Sequence, residues 1–217
     1  MKLTKFRHSC VRVADADHRL VIDPGVFSEA AEALTDIDAV LLTHEHPDHV
    51  DAAALVAAAA GNPSLHIWAP PAVTEQLSGK PELADRLTAV GPGESFEAGG
   101  LPVRTFGGLH AQIHSSLPWV ANLAYLVGDA VYHPGDSYVV PTAAVHTVLL
   151  PINAPWAKVS ETLDFLIAVR AERAFQIHDA LLSDIGRGGY ESHATRVAGL
   201  YGVSTFTHLD PQQTVEL

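Results

Sequence analysis

One cysteine, Cys10, is all this chain has, so no intrachain disulfide can staple it and no C-x-x-C pair supports redox chemistry. Cys10 opens the alternating segment Cys10-Val11-Arg12-Val13, where a small buried residue is expected. Long apolar runs are missing too. Nothing approaches the roughly 18 consecutive apolar residues of a membrane span, so no membrane insertion is expected. The opening Met1-Lys2-Leu3-Thr4-Lys5-Phe6-Arg7 breaks into polar residues at once and lacks the apolar centre of a secretory signal, which makes a cytoplasmic setting the expectation. Cations are scarce: 13 Lys and Arg stand against 25 Asp and Glu, a formal charge of −12. Such a field repels phosphate backbones, and nucleic acid drops out as a partner. A small-molecule substrate remains, and a homo-oligomer is left open.

What is present is a globular core. A hydrophobic fraction of 47% over 217 residues suits one domain, expected to span 1–217, with no linker-like break. Short strands are predicted at Lys2 to Phe6, Cys10 to Val13 and Arg19 to Ile22, with Asp17-His18 as the turn between the last two. Asp23-Pro24-Gly25 ends the third, Ser28 to Leu34 reads as a short helix, and Ala39 to Leu42 as a buried strand. Further strands are predicted at Leu65 to Trp68, Pro102 to Phe106, Leu123 to Val127, Val131 to His133, Val145 to Leu150 and Ala174 to Ile177. Helices fit Val50 to Ala60, Pro71 to Leu77, Val159 to Arg170 and Ser192 to Tyr201. Strand runs with helices interspersed in both halves predict an α/β fold: two sheets face to face with helices outside.

The strand Ala39 to Leu42 runs into Thr43-His44-Glu45-His46-Pro47-Asp48-His49, which sets three imidazoles and Asp48 within six residues. Neutral imidazole and carboxylate suit divalent transition metals, and His44 and His46 at a strand end can converge on one ion. Asp48 and His49, placed after a turn at the start of the predicted helix, reach toward a second. Such a centre needs more donors than one segment holds. Three candidates lie just past predicted strand ends: His110 after the hinge-like Gly107-Gly108, Asp136 in His133-Pro134-Gly135-Asp136-Ser137, and His178 after Phe175-Gln176-Ile177.

H-x-H-x-D-H followed by a separate His, an Asp and a final His resembles the metallo-β-lactamase superfamily. Among its members the chain is most similar to small metal-dependent hydrolases grouped with the ascorbate-6-phosphate lactonase and N-acyl phosphatidylethanolamine phospholipase D branch. These carry a Gly-His-Ser/Ala turn after the first strand, here Arg7-His8-Ser9, with Arg7 in place of the Gly. The resemblance implies a four-layer αββα sandwich of two mixed β-sheets. It also implies that His44, His46 and His110 hold one ion, that Asp48, His49 and His178 hold the other, and that Asp136 bridges them. The ions would be zinc first, with manganese, nickel or iron as alternatives, and a metal-bound bridging hydroxide would attack a small phosphoester, lactone or other ester. Asp48 is the candidate catalytic residue, steering the water or taking its proton. His110 is preferred to His114 by its place in the pattern. His8 and His133 are candidates to orient ligands by hydrogen bonds, and Trp156 and Lys158 are candidate substrate contacts. Asp184-Ile185-Gly186-Arg187-Gly188-Gly189-Tyr190 is read as a rim loop after His178. Two other readings stay open: a metal-binding sensing or interaction protein with vestigial activity, and a diiron redox enzyme.

Overall fold

The computed structural model describes residues 1–217. Two seven-stranded sheets lie face to face. The first runs, in spatial order, β14 (Thr214–Glu216), β1 (Lys2–Lys5), β2 (Val11–Asp15), β3 (His18–Ile22), β4 (Ala39–Leu41), β5 (His66–Ala69) and β6 (Leu87–Ala89). The second runs β13 (Thr205–Thr207), β12 (Arg173–Ile177), β11 (Thr147–Pro151), β10 (Val131–His133), β9 (Ala121–Val127), β8 (Leu101–Leu109) and β7 (Ser95–Ala98). Both are mixed, antiparallel where the chain doubles back from β1 to β3 and from β7 to β10, and parallel from β3 to β6 and from β10 to β13. Helices α1 (Ala30–Ala33), α2 (Ala52–Gly61) and α3 (Pro71–Ser78) accompany the first sheet, and α4 (Val159–Val169) and α5 (Asp184–Tyr201) the second.

Alternation along each strand assigns residues to layers. Leu20, Ile22 and Leu41 point between the sheets, with Leu123, Tyr125, Leu149, Phe175 and Ile177 meeting them from the other side. Their neighbours Val21, Val40 and Leu42 turn outward onto Leu55, Ala59 and Val73 of α2 and α3. Val148, Leu150 and Ala174 do the same against Phe165, Leu166, Ala194 and Ala198 of α4 and α5. Both faces of each central strand are therefore dry, which is why those strands read as unbroken apolar runs. Cys10 belongs to the outer layer of the first sheet and is fully buried. Burial pushes its thiol pKa far up. Thiol titration should accordingly find no reactive cysteine in the folded protein and one per chain after unfolding in guanidinium.

Several boundaries differ from the sequence reading. Ala16 and Asp17 form the first hairpin turn and His18 already pairs in β3. Helix α2 starts at Ala52, capped by the Asp51 carboxylate, which accepts from the backbone N–H groups of Ala53 and Ala54. Asp48 and His49 thus lie in the tight turn before the helix, closed by the N–H groups of His49 and Val50 on the His46 carbonyl at 3.0 Å each. Gly107 and Gly108 are not a hinge: β8 runs through both and pairs them with Leu123 and Asn122. The glycine-rich segment after His178 is not a loop but the first turns of α5, where the Ser183 hydroxyl caps Gly186 N–H and Arg187 pairs with Asp184.

No helix is long and apolar enough to cross a membrane.

Candidate metal centre

The chain reverses at one common edge of the sandwich. Asp23 follows β3, the segment 43–49 follows β4, His110 follows β8, Asp136 lies beyond β10, Asn153 and Trp156 beyond β11, and His178 follows β12. Two bonds pin the sheets together beneath this edge: Leu123 N–H donates to the Thr43 carbonyl and the Tyr125 hydroxyl to the Leu42 carbonyl, both at 2.9 Å. Two glycines allow the loops to close. A Cβ on Gly25 would lie 1.9 Å from the Asp48 carbonyl oxygen, so only glycine lets the 23–26 loop brace the ligand turn. Gly135 has φ +59°, and its Cβ would come within 2.3 Å of Asn122 Oδ1. That Asn122 amide clasps the loop, donating to the Pro134 carbonyl and accepting from Asp136 N–H at 3.0 Å each.

Every residue proposed as a ligand from the sequence arrives at this edge, in two clusters. His44, His46, His110 and Asp136 form one, and His8, Asp48, His49 and His178 the other, with donor atoms in each lying within 4.8 Å of one another. Asp136 faces both. Its Oδ1 is 3.1 Å from His49 Nε2, and its Oδ2 is 3.1 Å from His178 Nε2 and 3.3 Å from His110 Nε2. His114 stays outside, exposed and folded into a turn with Ser116. Lys158 is an exposed residue at the start of α4, whereas Trp156 is buried with its indole N–H on Asp136 Oδ2 at 2.8 Å.

Hydrogen bonds set the histidine tautomers, and they do so consistently. Thr43 donates its hydroxyl hydrogen to Asp23 Oδ2 at 2.7 Å, so its oxygen accepts from His44 Nδ1–H at 2.9 Å. His49 Nδ1–H donates to the same Asp23 oxygen at 2.6 Å, while His110 and His178 donate Nδ1–H to the carbonyls of Ala111 and Asn153, 2.5 Å each. In all four Nδ1 is committed to a partner, so Nε2 is the nitrogen turned inward and the one available to a metal. His46 presents Nδ1 3.1 Å from His44 Nε2.

His8 is wired the other way. Its Nδ1 accepts from Ala180 N–H at 3.4 Å, so Nε2–H donates to Asp48 Oδ2 at 3.0 Å and neither ring nitrogen is left bare. His133 donates to the Ser9 carbonyl and accepts from Gly135 N–H, which braces the Asp136 turn. Asp23, Asn122 and the bond from Trp156 to Asp136 leave no local mark in the sequence; positive φ at His8, Asp23 and His178 (+58°, +52° and +60°) is a backbone property that letters do not carry.

Charge at the centre is polarised. Burial alone would raise Asp136, yet His49 and His178 outweigh it and hold the carboxyl well below its ordinary range. His49 moves the opposite way: burial disfavours its charge, but the Asp136 and Asp23 carboxylates lift it well above an ordinary imidazole. Burial keeps His44 and His8 neutral, with pKa values lowered. Asp48 is pushed down to about 2, the His8 hydrogen bond and His49 prevailing over burial, so it remains a carboxylate at neutral pH.

The donor set fits metal. His49 Nε2, His110 Nε2, His178 Nε2 and Asp136 Oδ1 are all buried with no hydrogen-bond partner, half of the eight such side-chain atoms in the chain. Each buried polar atom left so costs roughly 1–3 kcal/mol, and three such nitrogens facing the carboxylate that carries the fourth atom describe a cradle for cations.

Comparison with known proteins agrees. Residues 2–178 match the family described as the Beta-lactamase superfamily domain. The chain belongs to this family. Protein Rv0786c of Mycobacterium tuberculosis is 40% identical over 202 residues, 91% of this chain and 92% of that one. A UPF0173 metal-dependent hydrolase of Xanthobacter autotrophicus is 30% identical over 152 residues, 63% of this chain and 62% of its own. The metallo-β-lactamase fold protein YhfI from Bacillus subtilis superposes with a TM-score of 0.76 at 17% identity, over 99% of this chain and 98% of that one. The superfamily resemblance and the sandwich of two mixed sheets expected from the sequence are thus both borne out.

Proposed function

We propose that this β-lactamase-superfamily chain is a cytoplasmic metal-dependent hydrolase working with two divalent ions on a small phosphoester, lactone or other ester. His44, His46 and His110 would hold one ion, Asp48, His49 and His178 the other, with Asp136 between them and zinc the first choice of metal. Bound there, the ions supply an acidified water and positive charge for the leaving oxygen. The residues supply the rest. Asp23 and Thr43 fix two imidazoles in ligating form, Trp156 and Asn122 hold Asp136 in place, and Asp48, ionised and steadied by His8, can accept a proton but has none to give. The observation that carries this reading is the set of unpartnered donors around Asp136.

His8 offers a selective test of the two half-sites. His8→Asn keeps a residue that tolerates positive φ but is too short to reach Asp48. The second ion should bind about 10–100-fold more weakly and the first unchanged, read as two classes in a chelator competition. For the activity itself, metal-loaded and metal-stripped protein are compared on a panel of phosphodiesters, lactones and carboxylic esters. Turnover by the loaded form alone is expected. Equal rates in both forms would sink the hydrolase reading.

A further inference from the structure

The loop between β8 and β9, residues 110–120, turns large apolar side chains outward. Ile113, Leu117 and Trp119 are 41%, 47% and 61% exposed. Looseness does not explain this, because the loop is tied down. His110 N–H donates to the Val120 carbonyl at 3.0 Å, Ala111 N–H to the Asp136 carbonyl at 2.8 Å, and Leu117 N–H to the His114 carbonyl at 3.0 Å. Apolar groups held in water by a fixed backbone mark a contact surface.

These three side chains wall a cavity of about 180 Å³ that His46 and His110 also line. At roughly 30 Å³ per water-sized group, it takes about six such groups. No Asp, Glu, Lys or Arg lines it, and Gln112 is the one polar side chain besides the two imidazoles. A charged or strongly hydrated group would lose its water there without replacement. Of the cations near the centre, Lys5 is buried on Asp179 at 3.1 Å, while Arg7, paired with Glu29 at 3.5 Å, and the exposed Lys158 lie outside the cavity's lining. The cavity itself offers a phosphate no cation.

We infer that the cavity takes the apolar arm of the substrate, and that the substrate is an uncharged carboxylic ester or lactone with a saturated arm of about six carbons on its acyl side. This rests on the hydrolase reading above and narrows it away from phosphoesters. The cavity is lined by two imidazoles of the first half-site, so the group bonded directly to the reacting carbonyl carbon is the one that reaches it. In the reaction the oxygen of water bonds to that carbon, the acyl C–O bond breaks, the alcohol oxygen leaves with a proton, and the acid is released as carboxylate with the second proton passing to solvent.

Binding of product-like acids tests the cavity without turnover. The metal-loaded protein is titrated with acetate, butanoate, hexanoate, octanoate and inorganic phosphate by calorimetry, beside Leu117→Asp, which places a charge on the wall at an exposed position. Affinity should rise about fourfold per methylene to six carbons and then level. Leu117→Asp should weaken hexanoate at least about tenfold by the same scale and leave acetate unchanged. A flat series, or phosphate binding more tightly than hexanoate, would overturn the inference. Turnover of ethyl acetate, ethyl hexanoate and a phosphodiester separates the cavity from the chemistry. Ester turnover with no preference for the six-carbon acid rejects the cavity assignment and keeps the hydrolase. The binding pattern with turnover of the phosphodiester alone rejects the substrate assignment and keeps the hydrolase, and the binding pattern with no turnover of any of the three rejects both.

Discussion

Asp136→Ala is expected to empty both half-sites and to lower kcat/KM by more than the roughly 100-fold that loss of an outer hydrogen-bond partner costs a metal enzyme. The size follows from its position. Its two oxygens lie 3.1 to 3.3 Å from the Nε2 atoms of His49, His178 and His110, so one carboxylate supplies negative charge to both clusters. Its removal leaves those imidazoles facing one another across a buried space, where cations would meet nitrogen donors and a single remaining carboxylate, Asp48. The Trp156 indole N–H also loses its acceptor, a cost of about 1–3 kcal/mol in stability. Asp136→Asn separates shape from charge: it should fold with a near-normal thermal midpoint and still bind little metal. Metal content and kcat/KM of the two variants check this. Retention of both ions by the Asp136→Asn protein would show that the carboxylate charge is dispensable.

Asp23→Ala is expected to be the most destabilising single change at the site, although Asp23 belongs to neither ligand cluster. The side chain is fully buried and accepts from Thr43 N–H at 2.8 Å, the Thr43 hydroxyl at 2.7 Å and His49 Nδ1–H at 2.6 Å. Three stranded donors at roughly 1–3 kcal/mol each predict a loss of about 3 kcal/mol or more. Alanine also tolerates φ of +52° less well than aspartate does. The second consequence is chemical. Without Asp23 the Thr43 hydroxyl is free to donate to His44 Nδ1, which moves the proton onto Nε2, and His49 loses the bond that turns its Nε2 inward. Both half-sites should weaken. Urea denaturation of the metal-free protein isolates the stability effect from ion loss, and metal titration of the folded fraction reads the second. A midpoint shift worth less than about 1 kcal/mol would show that Asp23 does not hold the ligand turn in place.

How far the letters reached depends on range. The central strands β3, β4, β9, β11 and β12 were legible because burial on both faces writes a continuous apolar run. The edge strands β6, β7, β13 and β14 were not, since they are three or four residues long and largely half-buried or exposed, with no pattern to distinguish them from turns. The sequence predicts α5 only from Ser192, eight residues late, because Gly186, Gly188 and Gly189 lower helix propensity; the Ser183 cap and packing through Ala194 and Ala198 override them. At the centre, the segment 44–49 announces itself because its donors are adjacent in sequence. His110, Asp136 and His178 could be found by looking past strand ends. Asp23 and Asn122 could not, nor could the bond of Trp156 to Asp136, because each acts through a partner at least twelve residues away. The reversed tautomer of His8 depends on Ala180, 172 positions along the chain.

Whether one buried carboxylate joins two half-sites is settled by counting metal. The protein is purified without chelator, reloaded with zinc, desalted and measured by plasma mass spectrometry beside His110→Ala, His178→Ala and Asp136→Ala. The expected result is about two equivalents per chain in the parent, about one in each histidine variant, and almost none in Asp136→Ala. A parent that holds about one equivalent and keeps it in His178→Ala, or one that takes up less than about half an equivalent from added metal, would mean that no such paired site exists.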